Sequence, residues 1–336
     1  REASIPQGFR AVTINGRRAL CEPGDEAWVT TALGKMPAAA RPATAPANML
    51  QRIGEQREPL IRQFMADFGV TDPVPVARAY DSELTPAIRQ LDELRAPIFY
   101  LVTAPDRLTA LMRSGWSDPH FYYNRAADAV SFNPAGLLTV DRPMDDIIYP
   151  VPDDTKAPPE KRAEGLTAVV TAVEAQIAAA IEFQARARVG GHFANMINTL
   201  VMQPLALKDD QQWLAVGATS VFAAKYTATI TGDQRQQLVG GLLFEHPQAA
   251  LKMTAVDVLH PADLKTIRQD LIGVYVDTFR RKSARAIQYL IEQAGGDAAV
   301  TKAVAAVRDR KPADGTALVK VIQEVTTIDL TPALVR

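Results

Sequence analysis

The chain has 336 residues, a net charge of −1, 47% apolar residues and 22% charged residues, the proportions of a soluble globular protein. Near-neutral charge gives no electrostatic reason to expect nucleic acid or an anionic membrane as partner. No apolar run approaches the roughly 18 residues of a membrane span. The single cysteine, Cys21, excludes an internal disulfide, and the alternating run around it predicts a buried strand position.

The N-terminal part of the chain predicts a β-hairpin, a linker and helices. Two alternating runs flank Asn15-Gly16 within residues 9–22, which is the strongest short-range hairpin signal. Residues 37–46, PAAARPATAP, have the composition of a surface linker. Apolar residues at helical spacing then predict a helix that ends at Gly69. Thr85-Pro86 predicts the start of another helix, because proline is tolerated at the first helical position.

Residues 97–140 predict a small, mostly antiparallel sheet crossed by one helix. PIFYLVT (97–103) is an apolar run of strand length, and Thr103 is the expected cap of a helix over 104–114. Short strand patterns separated by turn residues follow at 120–125, 129–133 and 136–140.

The remainder of the chain predicts a loop and then a helical half. Residues 145–160 are rich in proline and acidic residues, which favours either a solvated connector or a hinge or lid. A helix from Pro159 is expected to stop before Gly190-Gly191, and further helices follow to residue 325. The predicted class is α+β. The predicted regions are a hairpin region (1–36), a linker (37–50), an α+β subdomain with the small sheet (51–150) and a helical subdomain (151–336).

The order of these parts resembles the gluzincin class of zinc metallopeptidases, especially the bacterial peptidase-MA-like branch. Three features carry the resemblance: the strand and aromatic strand pair that lead into a long helix, the step WLAVG (213–217) that opens an apolar helix, and TFRRKSARAIQYLIEQAGG (278–296). The similarity covers roughly residues 97–330. It implies a gluzincin-like fold in which the long helix carries H-E-x-x-H and the later helix opens with W-L-x-E-G, whose Glu is the third zinc ligand.

The residues that this family needs for zinc are absent from the chain. The position of the third ligand is Val216, and no H-E-x-x-H occurs. The best-placed substitute is VEAQI, with Val173 and Ile177 at the histidine positions and Glu174 retained. Aliphatic side chains cannot bind zinc, so the expected metal and cofactor content is none. Val173 and Ile177 also belong to an apolar stripe, so we expect them in an ordinary core, with Glu174 beside the stripe and exposed or paired on its own helix. The stripe consists of Leu166, Val170, Val173, Ile177 and Ile181.

Other catalytic and metal sites find little support in the sequence. No two histidines have the i,i+3 or i,i+4 spacing of a helical ligand pair, and all look like turn or boundary residues; they are His120, His192, His246 and His260. There is no G-x-S-x-G elbow and no Walker A loop. Adjacent carboxylates such as Asp153 and Asp154 lie in polar or proline-rich segments, where they are normally solvated.

Aromatic residues indicate where a partner would bind. In a gluzincin-like fold the edge of the small sheet borders the substrate groove, and an extended peptide can add to such an edge as a strand. The opposite interpretation is that the same rings pack under the helix at 104–114. The candidate contacts for a peptide or protein partner are Trp116, Tyr122, Asn124 and Trp213.

The leading hypothesis from sequence is a bacterial pseudo-peptidase, a metallopeptidase-like scaffold without zinc ligands that acts as a binding or structural module. A secreted or periplasmic location is expected, in part from the resemblance. The start at Arg1 fits removal of a signal peptide and fits trimming of the chain equally well. Two alternatives stay open: an active hydrolase with an unrecognised site, and a subunit of a larger assembly.

Overall fold

The structure is a computed structural model that describes residues 5–39, 44–93, 98–117, 121–132, 147–232 and 256–335. Two compact units make up the chain, each from two segments: residues 1–47 with 89–185, and residues 48–88 with 186–336. The sequence predicted four consecutive regions instead. The α+β class, the small sheet and the mainly helical C-terminal half are confirmed.

The strands form a four-stranded sheet and a separate hairpin. In the four-stranded sheet the order is β1-β2-β3-β6, with β1 and β2 antiparallel and the β2–β3 and β3–β6 pairs parallel. Within the described residues, strands β4 and β5 pair with each other in a two-stranded antiparallel sheet. The bounds are β1 Arg10–Ile14, β2 Arg17–Cys21, β3 Ile98–Thr103, β4 Phe121–Asn124, β5 Ala129–Phe132 and β6 Ile147–Pro152.

Helices make up most of the rest of the described chain. Their bounds are α1 Glu26–Lys35, α2 Thr44–Glu55, α3 Arg57–Phe68, α4 Pro73–Glu93, α5 Pro105–Arg113, α6 Pro159–Ile197, α7 Gln212–Thr231, α8 Ile272–Ala294, α9 Ala298–Arg310, α10 Gly315–Thr326 and α11 Thr331–Val335. The last turn of α6 continues as a π-helical segment, Asn198–Met202.

The predicted hairpin at the N-terminus is confirmed. Asn15 and Gly16 both have positive φ, 51° and 79°, which is the backbone of a type I′ turn. This turn matches the twist of the flanking strands, so β1 and β2 pair in register from Ile14↔Arg17 to Arg10↔Cys21. Cys21 is fully buried, as the alternation predicted. Burial raises the pKa of its thiol to about 11, with Glu26 and Asp25 adding to the effect.

The predicted mostly antiparallel sheet is wrong, because β2, β3 and β6 run parallel. Strand β6 lies within the segment that we predicted as a loop or lid. Its prolines suggested a loop, but Ile148 and Val151 are buried and anchor it to β3. The third short strand predicted, at 136–140, falls outside the described residues.

Several predicted helix boundaries are also wrong. Helix α4 starts at Pro73 and runs through Pro86, since Val76, Tyr80 and Leu84 form a buried stripe ahead of that proline. The N-cap of α5 is Ala104 rather than Thr103, with Pro105 in the first turn. Helix α2 begins at Thr44, inside the predicted linker.

Helix α6 does not stop at its glycine pair. It continues past Gly190 and Gly191 to Ile197, and its buried side keeps Val189, Phe193 and Ile197. A glycine inside a helix costs only about 1 kcal/mol relative to alanine, and each buried apolar side chain here contributes more. The C-terminal burial pattern therefore outweighs the local glycine signal.

The core of the first unit lies on both faces of the sheet. On one face, the apolar side of α1 and the predicted stripe of α6 pack against Ala19, Tyr100 and Val102. On the other face, Leu108 and Leu111 of α5 cover a smaller cluster.

The second unit is a helical assembly with an aromatic core. Helix α7 packs along α8, α9 packs against α3, α8 and α10, and α11 lies on α8. Rings from α3, α6 and α7 interlock at centroid distances of about 5–6 Å; they are Phe64, Phe68, Phe193, Phe222 and Tyr226.

Candidate functional site

Val173 and Ile177, the α6 residues that the sequence predicted at the histidine positions, belong to the core of the first unit. Val173 is 2% exposed and Ile177 is 5% exposed. Both pack in the cluster that contains Tyr100 and Val102 of β3 and Val151 of β6. The predicted apolar stripe of α6 is therefore confirmed as core, and these two side chains are surrounded by hydrocarbon.

Glu174 is held by an arginine of the sheet rather than by its own helix. Arg17 on β2 donates from Nε to Oε1 at 2.7 Å and from Nη2 to Oε2 at 3.0 Å. The Arg17 side chain is only 3% exposed, and its Nη1 donates to the Pro37 carbonyl oxygen at 2.5 Å. A bidentate pair with a buried guanidinium fixes both carboxylate oxygens. This geometry suits a structural ion pair between α6 and the hairpin.

Val216, the residue that the sequence predicted at the third-ligand position, lies in the second unit. It sits in the first turns of α7, is half-buried, and its carbonyl accepts a hydrogen bond from Ser220 Oγ at 2.7 Å. Because Val173 and Ile177 belong to the first unit, neither unit by itself contains all three residues. Their convergence stays a prediction.

The Trp-Leu-x-x-Gly sequence (213–217) packs the start of α7 into the helical core. Trp213 and Leu214 are fully buried. A Cβ on Gly217 would lie 2.3 Å from the Ser283 carbonyl oxygen and 2.8 Å from Ile287 Cγ1, both on α8. The glycine is thus required by the close approach of two helices, which explains its place in the sequence.

The predicted partner contacts fare differently. Trp213 cannot contact a partner because it is fully buried, so that prediction is wrong. Its Nε1 finds no acceptor among the described residues. Trp116 is half-buried and packs against the cluster under α5. Asn124 is exposed, but its Oδ1 accepts from the backbone N–H groups of Ala126 and Ala127, so it shapes the turn after β4.

The expected sheet edge beside these aromatic residues has a different form. Tyr122 lies on β4, in the separate hairpin, and the position of its side chain is outside the described structure. Tyr123 of the same strand contacts Arg113 and Asp128 at the exposed end of α5. In the part of the chain that the structure describes, β4 pairs with β5 and is not a strand of the four-stranded sheet.

The described histidines lie far apart in the sequence and in different settings. His192 is inside α6 and 9% exposed, with its ring edge-on to Tyr80 at 6.5 Å and to Phe193 at 5.8 Å. His260 is exposed, and its Nδ1 lies 2.9 Å from Asp257 Oδ2. His120 and His246 lie outside the described residues. Across the ranges that the structure describes, no three His, Cys, Asp or Glu side chains come together as metal ligands would.

Sequence reasoning missed one arrangement, a histidine and a methionine one turn apart within α6. His192 and Met196 share the i,i+4 spacing that brings two side chains to one helix face, and both are buried in the same unit as Val216. Phe193, the next residue after His192, has its ring centroid 5.4 Å from that of Tyr226 on α7. The pair was missed because the helix was expected to end at Gly190-Gly191, which made His192 look like a boundary residue.

A polar network runs through the same helices. Asp67 of α3 is 8% exposed and accepts from Lys225 Nζ and from the Tyr226 hydroxyl, both at 2.9 Å. Lys225 also donates to Asp297 at the start of α9, at 2.5 Å. Burial raises the pKa of Tyr226 well above its usual value, and Asp67 adds to the effect, so the hydroxyl stays a neutral donor. The network joins α3, α7 and α9.

A second polar cluster occupies the carboxyl ends of the parallel strands. Arg162 donates to Asp153 Oδ1 and to Asp25 Oδ1, each at 2.8 Å, and its guanidinium lies 4.5 Å from the Trp28 ring. Ligands often bind at this end of a parallel sheet. Here the two carboxylates and the ring surround the arginine, so the cluster fastens α6 to the sheet.

One open groove lies in the second unit, beside the π-helical segment. Its volume is about 350 Å³, and its walls are mostly apolar, with one arginine and one serine. The lining residues are Val74, Pro75, Arg78, Ala79, Ser82 and Leu200. Such a surface is suited to a short apolar group.

One described helical stretch, residues 159–205, is long and apolar enough to cross a membrane by length and composition alone, although the separate apolar runs are short. Core helices of globular proteins pass the same test, so the feature decides nothing about a membrane.

Comparison with protein families, with curated proteins and with solved structures found no match to this chain.

Proposed function

We propose that the protein is a metallopeptidase-like scaffold that lacks its zinc ligands and acts as a binding or structural module. The proposal rests on the order of the sequence motifs that resemble the gluzincin class and on the aliphatic residue at the third-ligand position, Val216. The secreted or periplasmic setting belongs to the same proposal through that resemblance.

The single observation that carries the proposal is the chemistry of the side chains at the former-site positions. Val173, Ile177 and Val216 have no lone pair to offer zinc. Glu174, the retained family residue, has both carboxylate oxygens on Arg17. Without a metal-bound water and an available base, the hydrolytic step of this enzyme class has no starting point.

A second alignment, which would replace VEAQI by a segment around His192 and Met196, leads to the same conclusion. These two residues lie in the same unit as Val216, whereas Val173 and Ile177 lie in the other. We infer that HFANM (192–196) is the degenerate counterpart of H-E-x-x-H. In this alignment His192 is the first histidine of the motif and Met196 replaces the second. Phe193 replaces the glutamate that acts as the general base. A histidine, a thioether and a hydrocarbon still make no zinc site.

The first test measures the metal content and peptidase activity of the full-length protein. Protein purified without added metal is expected to contain well below one zinc per chain and to leave casein and unstructured peptides intact. Near-stoichiometric zinc, or peptide hydrolysis that a chelator abolishes, would overturn the proposal. Hydrolysis insensitive to chelators would favour a hydrolase with a different site.

A pair of restored-ligand variants tests the second alignment. If HFANM and Val216 are the counterparts of the family ligands, Met196→His with Val216→Glu should give one zinc per chain and a zinc-dependent rise in Tm. The matched control, Val173→His with Ile177→His and Val216→Glu, places its histidines in the sheet core and should bind no zinc. Zinc binding by the control variant alone would restore the VEAQI alignment.

A further inference from the structure

The two outer strands of the four-stranded sheet differ in what their free edges offer. Asp153 N–H donates to the Thr103 carbonyl oxygen at 3.1 Å. This bond identifies which alternate residues of β6 make backbone hydrogen bonds to β3. Odd-numbered residues of β6 therefore bond to β3, and Ile148, Pro150 and Pro152 turn their backbone outward. Since proline has no N–H, this edge is poor at pairing with another strand.

The edge of β1 has no such protection. The two-residue turn makes Ile14 and Arg17 the first hydrogen-bonded pair, so alternate residues of β1 bond to β2. The N–H and C=O groups of Ala11 and Thr13 consequently point away from the sheet. Both residues are exposed, and neither makes a backbone hydrogen bond to any described residue outside the hairpin.

Native proteins protect strand edges with proline, bulges, charged side chains, very short strands or a covering element. Of these, β1 is short and has one charged residue, Arg10, at the end away from the turn. Strand β1, RAVTI, contains no proline and keeps an unbroken register with β2. It also contains valine, threonine and isoleucine, which favour extended pairing. The contrast between a proline-blocked edge and an open one indicates that β1 is kept available for a strand.

We propose that β1 pairs antiparallel with β1 of a second copy of this chain. Centred on Val12, this register sets Ala11 of one copy opposite Thr13 of the other, so the outward N–H and C=O groups of both strands form four hydrogen bonds. The two sheets become one eight-stranded sheet about a two-fold axis. This inference concerns the first unit alone and is independent of the proposed function.

The side chains of β1 fit this partner. Val12 and Ile14 are half-buried on the face that α1 and α6 cover, and pairing brings Val12 against Val12 of the second copy. Arg10 would face Ile14 of the second copy, which keeps the two arginines at opposite ends of the paired strands and avoids like charges in register. The same surface meets itself, so the assembly closes at two chains.

The test measures the mass of the full-length protein by sedimentation equilibrium over roughly 1–100 µM, the range in which a small, strand-based interface would assemble. A monomer–dimer equilibrium is expected. Thr13→Pro removes an outward N–H from each copy but none from the β1–β2 ladder, so the dimer constant should weaken at least about tenfold. Thr13→Val keeps the N–H and should dimerise like the wild type.

A measurement on the wild-type chain tests the proposal even if the proline variant misfolds. Amide exchange at Ala11 and Thr13 should slow as protein concentration rises, while exchange at exposed amides elsewhere should not change. A chain that is monomeric throughout this range, or a dimer that persists in Thr13→Pro with unchanged amide exchange at β1, would overturn the proposal.

Discussion

Gly217 shows how one residue sets the distance between two helices. The hydrogen in place of a side chain lets α7 approach α8 until the Ser283 carbonyl oxygen occupies the space a Cβ would need. Gly191 offers a contrast, since it lies on the exposed side of α6 with no atom within 4 Å of its Cβ position. The same residue type is a packing requirement in one helix and only an entropic cost in the other.

Exchanging each glycine for alanine tests this difference. We expect Gly217→Ala to lower the free energy of unfolding by roughly 1–3 kcal/mol, because the methyl group forces α7 and α8 apart. Gly191→Ala should raise it by about 0.5–1 kcal/mol, because alanine restricts the unfolded chain and favours the helix. Urea unfolding gives the free energy of unfolding of each variant relative to the wild type. Equal changes in the two variants would contradict the close-approach argument.

At the scale of elements, α8 carries a buried amine that fastens a neighbouring segment. Lys282 is 4% exposed, and its Nζ donates to the Val256 carbonyl oxygen at 2.8 Å. Val256 and Val258 are themselves buried. Burial lowers the pKa of Lys282, and the nearby Asp257 opposes that shift only in part. The ammonium thus anchors the segment at a desolvation cost.

This lowered pKa predicts a pH dependence of stability. Between the folded-state pKa and the usual value of 10.5, the unfolded chain binds more protons at this site, so stability rises with pH through that window. Lys282→Met has no such group. The wild type should therefore gain stability relative to Lys282→Met as pH rises toward 10.5.

The comparison needs a control for general charge effects and a measurement at several pH values. Lys320→Met, which removes an exposed lysine of α10, serves as that control. Urea unfolding at pH 7, 8, 9 and 10 gives the difference for each variant. The desolvation argument would be contradicted if the difference in free energy of unfolding between the wild type and Lys282→Met did not change with pH, or changed in the opposite direction.

At the scale of the whole molecule, the two units are each assembled from segments distant in sequence. The second unit takes α3 from the N-terminal third of the chain, and this helix supplies Phe64 and Phe68 to the aromatic core. Phe68 lies 4.9 Å from Phe222, and Asp67 accepts from Tyr226. The C-terminal helices alone therefore lack part of their own core.

Fragment complementation tests this dependence. A fragment of residues 186–336 is expected to unfold without a cooperative transition, because the α3 side of its aromatic core is missing. Adding a peptide of residues 48–88 should restore helical circular dichroism and cooperative melting. The same peptide with Phe64→Ala and Phe68→Ala should fail. A fragment that melts cooperatively by itself would show that α3 is dispensable.

Local signals in the sequence were sufficient where structure depends on neighbouring residues. Asn15-Gly16 defined the hairpin because positive φ at two consecutive positions suits that dipeptide. The stripe around Val173 predicted a buried helix face, since spacing alone sets which side chains share a side. The Trp-Leu-x-x-Gly step was recognised as the start of a helix for the same reason.

Local signals failed where distant contacts decide. The prolines of β6 suggested a loop, but pairing with β3 makes a strand whose outward backbone positions tolerate them. Gly190-Gly191 suggested a helix end, but burial of Val189 and Phe193 carries α6 through it. The candidate site shifted for this reason, because His192 became visible as a helical partner of Met196 only within the continuous α6.

The sequence by itself determined the α+β class, the hairpin, the apolar face of α6 and the absence of an H-E-x-x-H motif, because each follows from residue type and short-range spacing. Only the tertiary structure decided the parallel sheet, the division of the chain into two discontinuous units and the open edge of β1. These depend on which backbone groups meet across long sequence separations. Local sequence patterns do not determine the free energy of such contacts.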